Sequence, residues 1–463
     1  MRRPFRSLPF ATLTSPRSTL DSTTSGFDRR TLLVLVLATL TLTLTGPGQT
    51  IGVAVFTDHL VADLGLGRSE VSTAYLIGTL VGAALLPWVG RAIDRRGVRL
   101  AQMVIATAFA AALFGMSLVD GFVALALGFT GIRFLGQGSL SLVATVTVSV
   151  HFVRNRGTAL GIFNTATGAL MALVPVVVAV LIDAVGWRDA WRVLSVVILV
   201  VVVPIAAVGY RNLPRGSAAT ATPSLQADGA APSDTSSTEP ASTQPASPEP
   251  ASTDGPAFER GEAVRTPQFW MLAVTNGTAG MLVTGLNFHQ IDLLGRAGLS
   301  ATAAAALFIP QMVGSTAAGL IVGTAADRLG TRYIPALGMG LLTAAHLLAA
   351  VVGPGPLVLA YSVVLGATGA ALRTGTSTML PDWYGVKNLG AIQGLLNLFT
   401  VGGSALGPVA LAVVEGRFGS YRPAVLTLSL FAVAAAVFAL QPWTTSRPRH
   451  PDHGPPAPSP TPG

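Results

Sequence analysis

Two arginines stand inside long apolar segments of this chain, where a positive charge is well suited to bind an anion. Arg133 lies within LALGFTGIRFLGQGSLSLVATV, and Arg373 lies within SVVLGATGAALRTGTSTML. A charge at the centre of a membrane costs about 2.5–3.5 kcal/mol on insertion scales, so such a residue normally faces a cavity or a partner. A guanidinium can hold a carboxylate through two parallel hydrogen bonds. Arg373 therefore predicts a binding site for an anionic group.

Gln137 follows Arg133 by four residues, so the two side chains lie on one face of a helix. This pair has two interpretations. It can bind substrate or a coupled proton, or Arg133 can be a structural residue bonded to backbone carbonyls of a neighbouring helix.

Several classes of chemistry are excluded by residues that the sequence lacks. There is no cysteine, and the 6 histidines are scattered along the chain. We therefore expect no metal site, no cofactor and no enzymatic centre of clustered nucleophile and base. The only lysine, Lys387, is followed by Asn388, so the Gly-Lys-Ser/Thr ending of an ATP-binding loop is absent as well.

The composition is that of a membrane protein. Hydrophobic side chains make up 51% of the 463 residues and charged ones 11%, whereas soluble domains carry about 25% charged residues. A run of about 20 apolar residues spans a bilayer as a helix. The sequence contains twelve such runs, starting near residues 31, 71, 98, 121, 157, 190, 268, 300, 333, 356, 389 and 421. It predicts an all-α protein of twelve transmembrane helices embedded in the lipid bilayer.

The formal net charge of +8 is explained by membrane topology, and no nucleic-acid partner is needed to account for it. Most arginines fall in alternate loops, on the side that also holds both termini when twelve spans are counted. Cytoplasmic loops carry such an excess of basic residues. We therefore expect a multi-pass protein of the plasma membrane with both termini in the cytoplasm.

The most highly charged loop occurs twice. The stretch GRAIDRRGVR (residues 90–99) returns as GTAADRLGTR (residues 323–332), an offset of 233 residues. The same offset aligns Gly157 with Gly390 and Pro175 with Pro408. These matches indicate two homologous six-helix halves with the same orientation, which are parallel repeats. Arg373 has no counterpart in the first half, where residue 140 is leucine.

Low-complexity segments separate the halves. Residues 213–262 are rich in Pro, Ala, Ser and Thr, which bury no core, so they predict a disordered cytoplasmic linker. The predicted domains are an N-terminal cytoplasmic tail (1–30), a six-helix bundle (31–212), the linker (213–262), a second six-helix bundle (263–443) and a cytoplasmic C-terminal tail (444–463). The composition of residues 1–30 is also typical of a transit peptide, and a start codon assigned too early is a further alternative.

Each residue type in the repeated loop has a physical use. Gly90 allows close approach of helices, and Asp94 can accept hydrogen bonds at the N-terminus of a neighbouring helix. Gly97 permits a tight turn. Arg95 and Arg99 can anchor the turn at an anionic membrane surface.

Both copies resemble the signature G-x-x-x-D-R-x-G-x-R of the major facilitator superfamily, and RFLGQG (residues 133–138) is similar to its R-x-x-x-Q-G pattern. The resemblance implies a latch between two rocking bundles. In that latch Asp94 meets the eleventh span near residues 388–390, and Asp327 meets the fifth span near residues 156–157. The latch residues implied are Gly90, Asp94, Arg95, Gly97, Arg99, Gly323, Asp327, Arg328, Gly330 and Arg332.

The same resemblance places the substrate cavity between the first, fourth, seventh and tenth spans. The polar residues of those spans are then candidates for binding substrate: Arg373, Arg133, Gln137, Gln49, Asn287 and His289. Gln49 belongs to GPGQT (residues 46–50), whose proline and glycines should break the first span and free carbonyls toward the cavity.

Two further patterns bear on the substrate. Antiporters of the family often carry G-x-x-x-G-P in the fifth span, whereas here the pattern is GSALGP (residues 403–408), in the eleventh. The segments GPGQTIGVAVF, RSEVSTAYLIGTLVGA and NFHQIDLLGRAGLS are loosely similar to bacterial monocarboxylate-porter-like members.

Together these features predict a secondary active or facilitative transporter that moves a small-molecule substrate by alternating access, as a monomer. The first hypothesis is an anionic, monocarboxylate-like substrate with proton coupling (symport). A proton-coupled drug or metabolite exporter is the alternative, and a transporter-like sensor is a third. No carboxylate lies deep in a span, so uniport, or coupling through His289 or the substrate's own proton, stays open beside carboxylate coupling.

Overall fold

The computed structural model describes residues 29–152, 156–211, 258–329, 331–385 and 387–448. In this part of the chain, 12 helices are long and apolar enough to cross a membrane. They are α1 Thr31–Leu64, α2 Arg68–Arg96, α3 Val98–Met116, α4 Phe122–His151, α5 Gly157–Val185, α6 Trp187–Gly209, α7 Pro267–Arg296, α8 Ala301–Ala325, α9 Ile334–Val351, α10 Pro356–Tyr384, α11 Leu389–Phe418 and α12 Tyr421–Ala439. The predicted all-α membrane fold with twelve transmembrane helices is confirmed.

The helices run alternately between two ends of the molecule, which we name by their residues. The basic end carries Arg95, Arg96 and Arg99, where α2 meets α3. The distal end carries the loop of residues 65–67, where α1 meets α2.

The first span is broken in the middle, as its sequence predicts. Residues Gly46–Gly48 form a single tight 3-10 turn with Pro47 at its centre, and Gln49 has an extended backbone before the helix resumes at Thr50. Because proline has no N–H to donate, the regular hydrogen-bond ladder stops here. The break leaves the Gly48 carbonyl available to a side chain from another helix.

The fourth span changes its winding at the arginine singled out above. Residues Arg133–Leu140 form wider π-helical turns between two α-helical stretches. Gly136 packs against the ring of Phe109 on α3, and Gly138 packs against Leu86 on α2, each closer than a Cβ would allow. Wide turns of this kind are frequent at functional sites.

Glycines bring α7 and α11 into close backbone contact. A Cβ added to Gly280, Gly403 or Gly407 would come closer than 3.0 Å to backbone atoms of the other helix. Small residues allow this approach in membrane bundles. The GSALGP pattern therefore has a packing role in α11, which accounts for its presence outside the fifth span.

Within the described ranges, the two halves contact each other most extensively through three helix pairs: α1 with α7, α2 with α11, and α5 with α8. These pairs lie between six-helix bundles whose other helices pack within their own half. The arrangement agrees with two bundles that meet along a central interface.

Two domain boundaries differ from prediction by a few residues. Of the predicted linker, residues 213–257 lie outside the described part, but Phe258 is buried and Arg260–Val264 are helical. The Phe258 ring packs edge-on against Tyr384, and its carbonyl accepts a hydrogen bond from Asn388 Nδ2 at 2.9 Å. At the other boundary, Pro442–Thr445 extend the second bundle. The composition of the segment is polar, so a single buried apolar residue such as Phe258 does not change the prediction.

Candidate functional site

Arg133 lies at the break of α1, surrounded by neutral acceptors. Its side chain is only 4% exposed. The guanidinium donates from Nε to Thr79 Oγ1 at 3.0 Å, and from Nη1 to Gly48 O and Thr50 Oγ1, both at 3.3 Å. It also lies 4.5 Å from the centre of the Tyr75 ring, a favourable position for a cation. The contact with Gly48 O matches the structural interpretation, in which Arg133 bonds the backbone of a neighbouring helix.

Gln49 contacts the fourth span four residues after Gln137. Gln49 Nε2 donates to Thr45 Oγ1 at 3.0 Å and approaches Ser141 Oγ on α4 at 3.5 Å. Gln137 is half-buried, and its Oε1 has no hydrogen-bond partner among the described residues. A buried acceptor without a partner loses its hydration without compensation. The amide of Gln137 is thus available to a solute or a water molecule.

Arg373 lies near the middle of α10, half-buried, and directs Nη2 toward Ser315 Oγ on α8 at 3.5 Å. The two helices are in close contact because Gly314 and Gly366 each leave no room for a Cβ. Gly366 is also the position that the repeat pairs with Arg133. Arg373 follows it by seven residues, about two helical turns, and so lies on the equivalent face of the equivalent helix. The correspondence between Arg133 and Arg373 is therefore present in the sequence. It is missed when the two halves are compared only at the offset of 233 residues.

Asn287 and His289 lie toward the distal end of α7 and are fully buried. His289 Nε2 lies 2.9 Å from Pro408 O on α11, and Nδ1 lies 3.4 Å from the Tyr421 hydroxyl on α12. Asn287 Oδ1 has no hydrogen-bond partner in the described part of the chain. The structure thus brings Gln49 and Arg133 together at the break of α1, whereas His289 contacts helices of its own bundle. Substrate binding by these six residues stays a prediction.

The first copy of the latch motif lies at the basic end with Asp94, Arg95 and Arg99 exposed. Gly97 has φ 79°, which favours glycine and agrees with the predicted tight turn. Arg99 Nη2 donates to Ala207 O on α6 at 2.9 Å. The expected close helix approach at Gly90 is wrong for this conformation, because a Cβ there would meet nothing within 4 Å.

The second copy is described only in part. Gly330, together with the side chains of Asp327 and Arg328, lies outside the described residues, as does the side chain of Arg156. Gly323 and Arg332 are within them, and Arg332 stacks on Tyr333 at 4.2 Å from the ring centre. Since α2 packs along α11, the helices that the first latch would join are in contact, and the latch stays a prediction.

We expect Asp94→Asn to slow transport about tenfold while substrate affinity changes little. Asparagine keeps the shape but loses the charge, which raises the contribution of a hydrogen bond from about 1 kcal/mol to about 1.5–3 kcal/mol, and each 1.36 kcal/mol is tenfold in rate. Uptake kinetics and equilibrium binding would be measured on the same preparation. Equal losses in both would show that Asp94 does not act as a latch.

The charged cluster at the distal end was not predicted from the sequence. Arg68 on α2 bonds Asp58 on α1 at 2.8 Å and pairs with Asp292 on α7 at 3.1 Å. Asp292 also pairs with Arg296 at 3.1 Å, and Arg296 pairs with Glu415 on α11 at 2.7 Å. The only signal in the sequence is that these charges stand within two turns of span ends.

The pair Arg68–Asp292 joins the two bundles, and two further contacts do the same nearby. Tyr75 on α2 packs against Phe288 on α7 with ring centres 4.7 Å apart. Thr302, at the start of α8, approaches Asp183 on α5 at 3.4 Å. We name these three cross-bundle contacts the distal gate. They hold the two bundles together at the distal end.

Metal chemistry has no site in the part of the chain that the structure describes. No group of three or more His, Cys, Asp or Glu side chains is placed there to hold a metal ion. The side chains gathered near the break of α1 carry guanidinium, amide and hydroxyl groups.

This fold and site define a class. The sequence model of the Major Facilitator Superfamily matches residues 31–315 and 294–462. The chain belongs to this superfamily and is therefore a membrane transporter of small solutes.

The chain shares low sequence identity, or only a partial match, with individual proteins. The chain is 32% identical over 178 residues to an uncharacterised 38 kDa protein in the 23S RNA operon of Thermoproteus tenax, and this match spans only 45% of that protein. Among solved structures, it is similar to a bacterial homolog of the human lysosomal transporter Spinster in an inward-facing, occupied conformation. The identity is 16% with a TM-score of 0.68, over 93% of this chain and 100% of the other. It is also similar to the nucleoside transporter NupG, with 13% identity and a TM-score of 0.67, over 89% and 98% of the two chains. At these identities the likeness establishes the fold.

Proposed function

We propose that this protein carries a small organic anion across the plasma membrane by alternating access, with Arg373 as the group that binds the anionic end. The observation that carries the proposal is the position of Arg373, mid-span in α10 with a neutral hydroxyl, Ser315 Oγ, 3.5 Å away. A guanidinium is most stabilised at such a depth by a negative charge brought to it. A carboxylate substrate supplies that charge.

The N-terminal bundle supports the proposal with a polar surface around the break of α1. Arg133 is held by Gly48 O, Thr50 and Thr79, and the buried Oε1 of Gln137 has no hydrogen-bond partner within the described segments. An acceptor of this kind suits a hydroxyl or N–H group of the solute. The substrate class is thus a small carboxylate that also carries a hydrogen-bond donor.

The alternating-access part of the proposal is supported by the distal gate. The bundles are joined at the distal end by Arg68–Asp292 and Tyr75–Phe288, while Asp94 and Arg95 at the basic end are exposed. With the basic end in the cytoplasm, as the distribution of arginine predicts, this conformation is closed to the outside.

Ligand-induced stabilisation of the purified protein tests the substrate class. Monocarboxylates, hydroxy acids, sugars, amino acids and lipophilic cations would be screened by thermal unfolding. A ligand at 100 times its dissociation constant stabilises the folded state by about 2.7 kcal/mol. We expect carboxylates to raise the melting temperature. Stabilisation by lipophilic cations alone would favour the drug-exporter alternative.

A further inference from the structure

We propose that His289 is a proton-binding site that replaces the charge of Arg68 when the distal gate opens, so that acid on the distal side favours the open gate. The inference rests on the proposed alternating access. In it, the protonation of His289 makes the position of the gate depend on the pH of the distal side.

In the closed gate the contacts of His289 fit a neutral ring. A carbonyl only accepts hydrogen bonds, so the contact of 2.9 Å between Nε2 and Pro408 O places the hydrogen on Nε2. Nδ1 is then the acceptor, and it faces the Tyr421 hydroxyl at 3.4 Å. The side chain is 0% exposed, so no water stabilises an added charge.

The charges around the ring are shared between the two bundles. Arg68 and Asp58 belong to the first bundle, whereas Asp292, Arg296 and Glu415 belong to the second. His59, Asp63, Glu70, Arg417 and Arg422, on the same packed helices, are exposed at the surface. The charged and titratable groups that face His289 are therefore Asp58, Arg68, Asp292, Arg296, Glu415 and Tyr421, of which Asp58 and Arg296 are the most exposed.

Opening the gate removes one of the two guanidinium groups that pair with Asp292, although the Arg68–Asp58 pair that leaves is neutral as a whole. When the bundles separate, Arg68 leaves with Asp58, to which it bonds at 2.8 Å. Asp292 and Glu415 then remain with one guanidinium, that of Arg296. Asp292, one helical turn from His289, then keeps one guanidinium partner instead of two, and a nearby negative charge that is less compensated favours a protonated imidazole.

A path for the proton is present. Asp292 is 15% exposed and its carboxylate lies near the Tyr421 hydroxyl, whose oxygen also faces Nδ1 of His289. The Tyr421 oxygen can take a proton arriving at Asp292 and pass its own proton to Nδ1. The products are an imidazolium and an unchanged tyrosine, and the carboxylate is restored.

The absence of cysteine in the sequence makes distance measurement between paired spin labels direct. Leu118→Cys with Val351→Cys would report the distal end, and Leu100→Cys with Leu337→Cys the basic end, since all four positions are exposed. The distances would be measured in lipid nanodiscs without substrate, between pH 8 and pH 5. We expect the distal distance to lengthen at acid pH and the basic distance to shorten.

The test variant is His289→Gln, and its matched control is His346→Gln. Glutamine can donate to Pro408 O and accept from Tyr421, so His289→Gln keeps both contacts and should lose the pH response. His346, the other buried histidine on a distal half-span, bonds only Leu342 O of its own helix, and its variant should respond like the unmodified protein. A full pH response in His289→Gln, or none in the unmodified protein, would overturn the proposal.

A second variant keeps the test decisive if His289→Gln folds poorly. Glu415→Gln retains an acceptor for Arg296 but removes one of the two negative charges that share its guanidinium, so the midpoint of the distance change should move to more acidic pH. An unchanged midpoint would contradict the charge argument. Because no substrate is present, failure of either test leaves the proposed anion transport untouched, and that proposal is decided by the ligand screen.

Discussion

Replacing Arg373 with alanine is expected to remove the stabilisation by carboxylates and to reduce affinity for the transported anion by about 10- to 100-fold. A charge-assisted hydrogen bond contributes about 1.5–3 kcal/mol, and each 1.4 kcal/mol is a factor of ten in affinity. The loss should be largest for the smallest carboxylates, because the anionic group then supplies most of the contacts. The measurement is the melting-temperature shift as a function of ligand concentration.

Two variants control this experiment. Arg373→Lys keeps the charge but offers no paired, planar donors, so intermediate affinity is expected. Arg422→Ala removes an exposed arginine of the second bundle and should leave the shift unchanged. Carboxylate stabilisation that persists in Arg373→Ala would exclude this residue as the anion site, and Arg133 would then be tested in its place.

The second large effect is expected from Gly403→Ala, which should destabilise the second bundle by about 3 kcal/mol, at the upper end of overpacking effects. A Cβ at Gly403 would meet the carbonyl of Gly277 closer than 3.0 Å, and a backbone group cannot turn aside as a side chain can. The measurement is the melting temperature without ligand, together with the yield of monodisperse protein.

Gly402, the neighbour of Gly403 in sequence, provides a control with the same glycine-to-alanine change. A Cβ at Gly402 would meet nothing within 4 Å, and alanine has the higher helix propensity, so Gly402→Ala should be neutral or slightly stabilising. Similar destabilisation by both substitutions would mean that α7 and α11 do not pack through Gly403.

The spans were predictable because hydropathy reports burial in lipid directly. Their predicted starts agree with the structure to within three residues, and the two largest differences share one cause. The helix α2 begins with Arg68, Ser69 and Glu70, and α6 begins with Trp187, Arg188 and Asp189. A polar first turn postpones the apolar signal by about one turn, so both helices were placed to begin too late.

The candidate site was predictable in part. The break of α1 follows from Pro47 and its flanking glycines, and a buried arginine at position 133 implies acceptors on a neighbouring helix. The identity of the acceptor, Gly48 O, follows only when the broken helix is placed beside the π-helical turns of α4. The local sequence of the α1 break does not show that it packs against α4, and the local sequence of α4 does not show that it packs against the break.

The distal gate was beyond sequence reasoning for a related reason. Arg68 has Asp58 as a nearby partner and Asp292 has Arg296 four residues away, so each charge can be satisfied within its own half. The pair across the bundles depends on the particular conformation in which α1 and α2 meet α7. The same holds for Gly403, whose contact with Gly277 is set by how α11 crosses α7.

Uptake of a stabilising carboxylate into proteoliposomes tests the central claim most directly. The purified protein would be reconstituted, loaded with unlabelled carboxylate and diluted into a trace of the labelled compound, so that exchange needs no assumed coupling ion. Saturable accumulation that is lost in Arg373→Ala and kept in Arg422→Ala is the predicted result. Binding without accumulation would contradict the transport proposal and point to the sensor hypothesis.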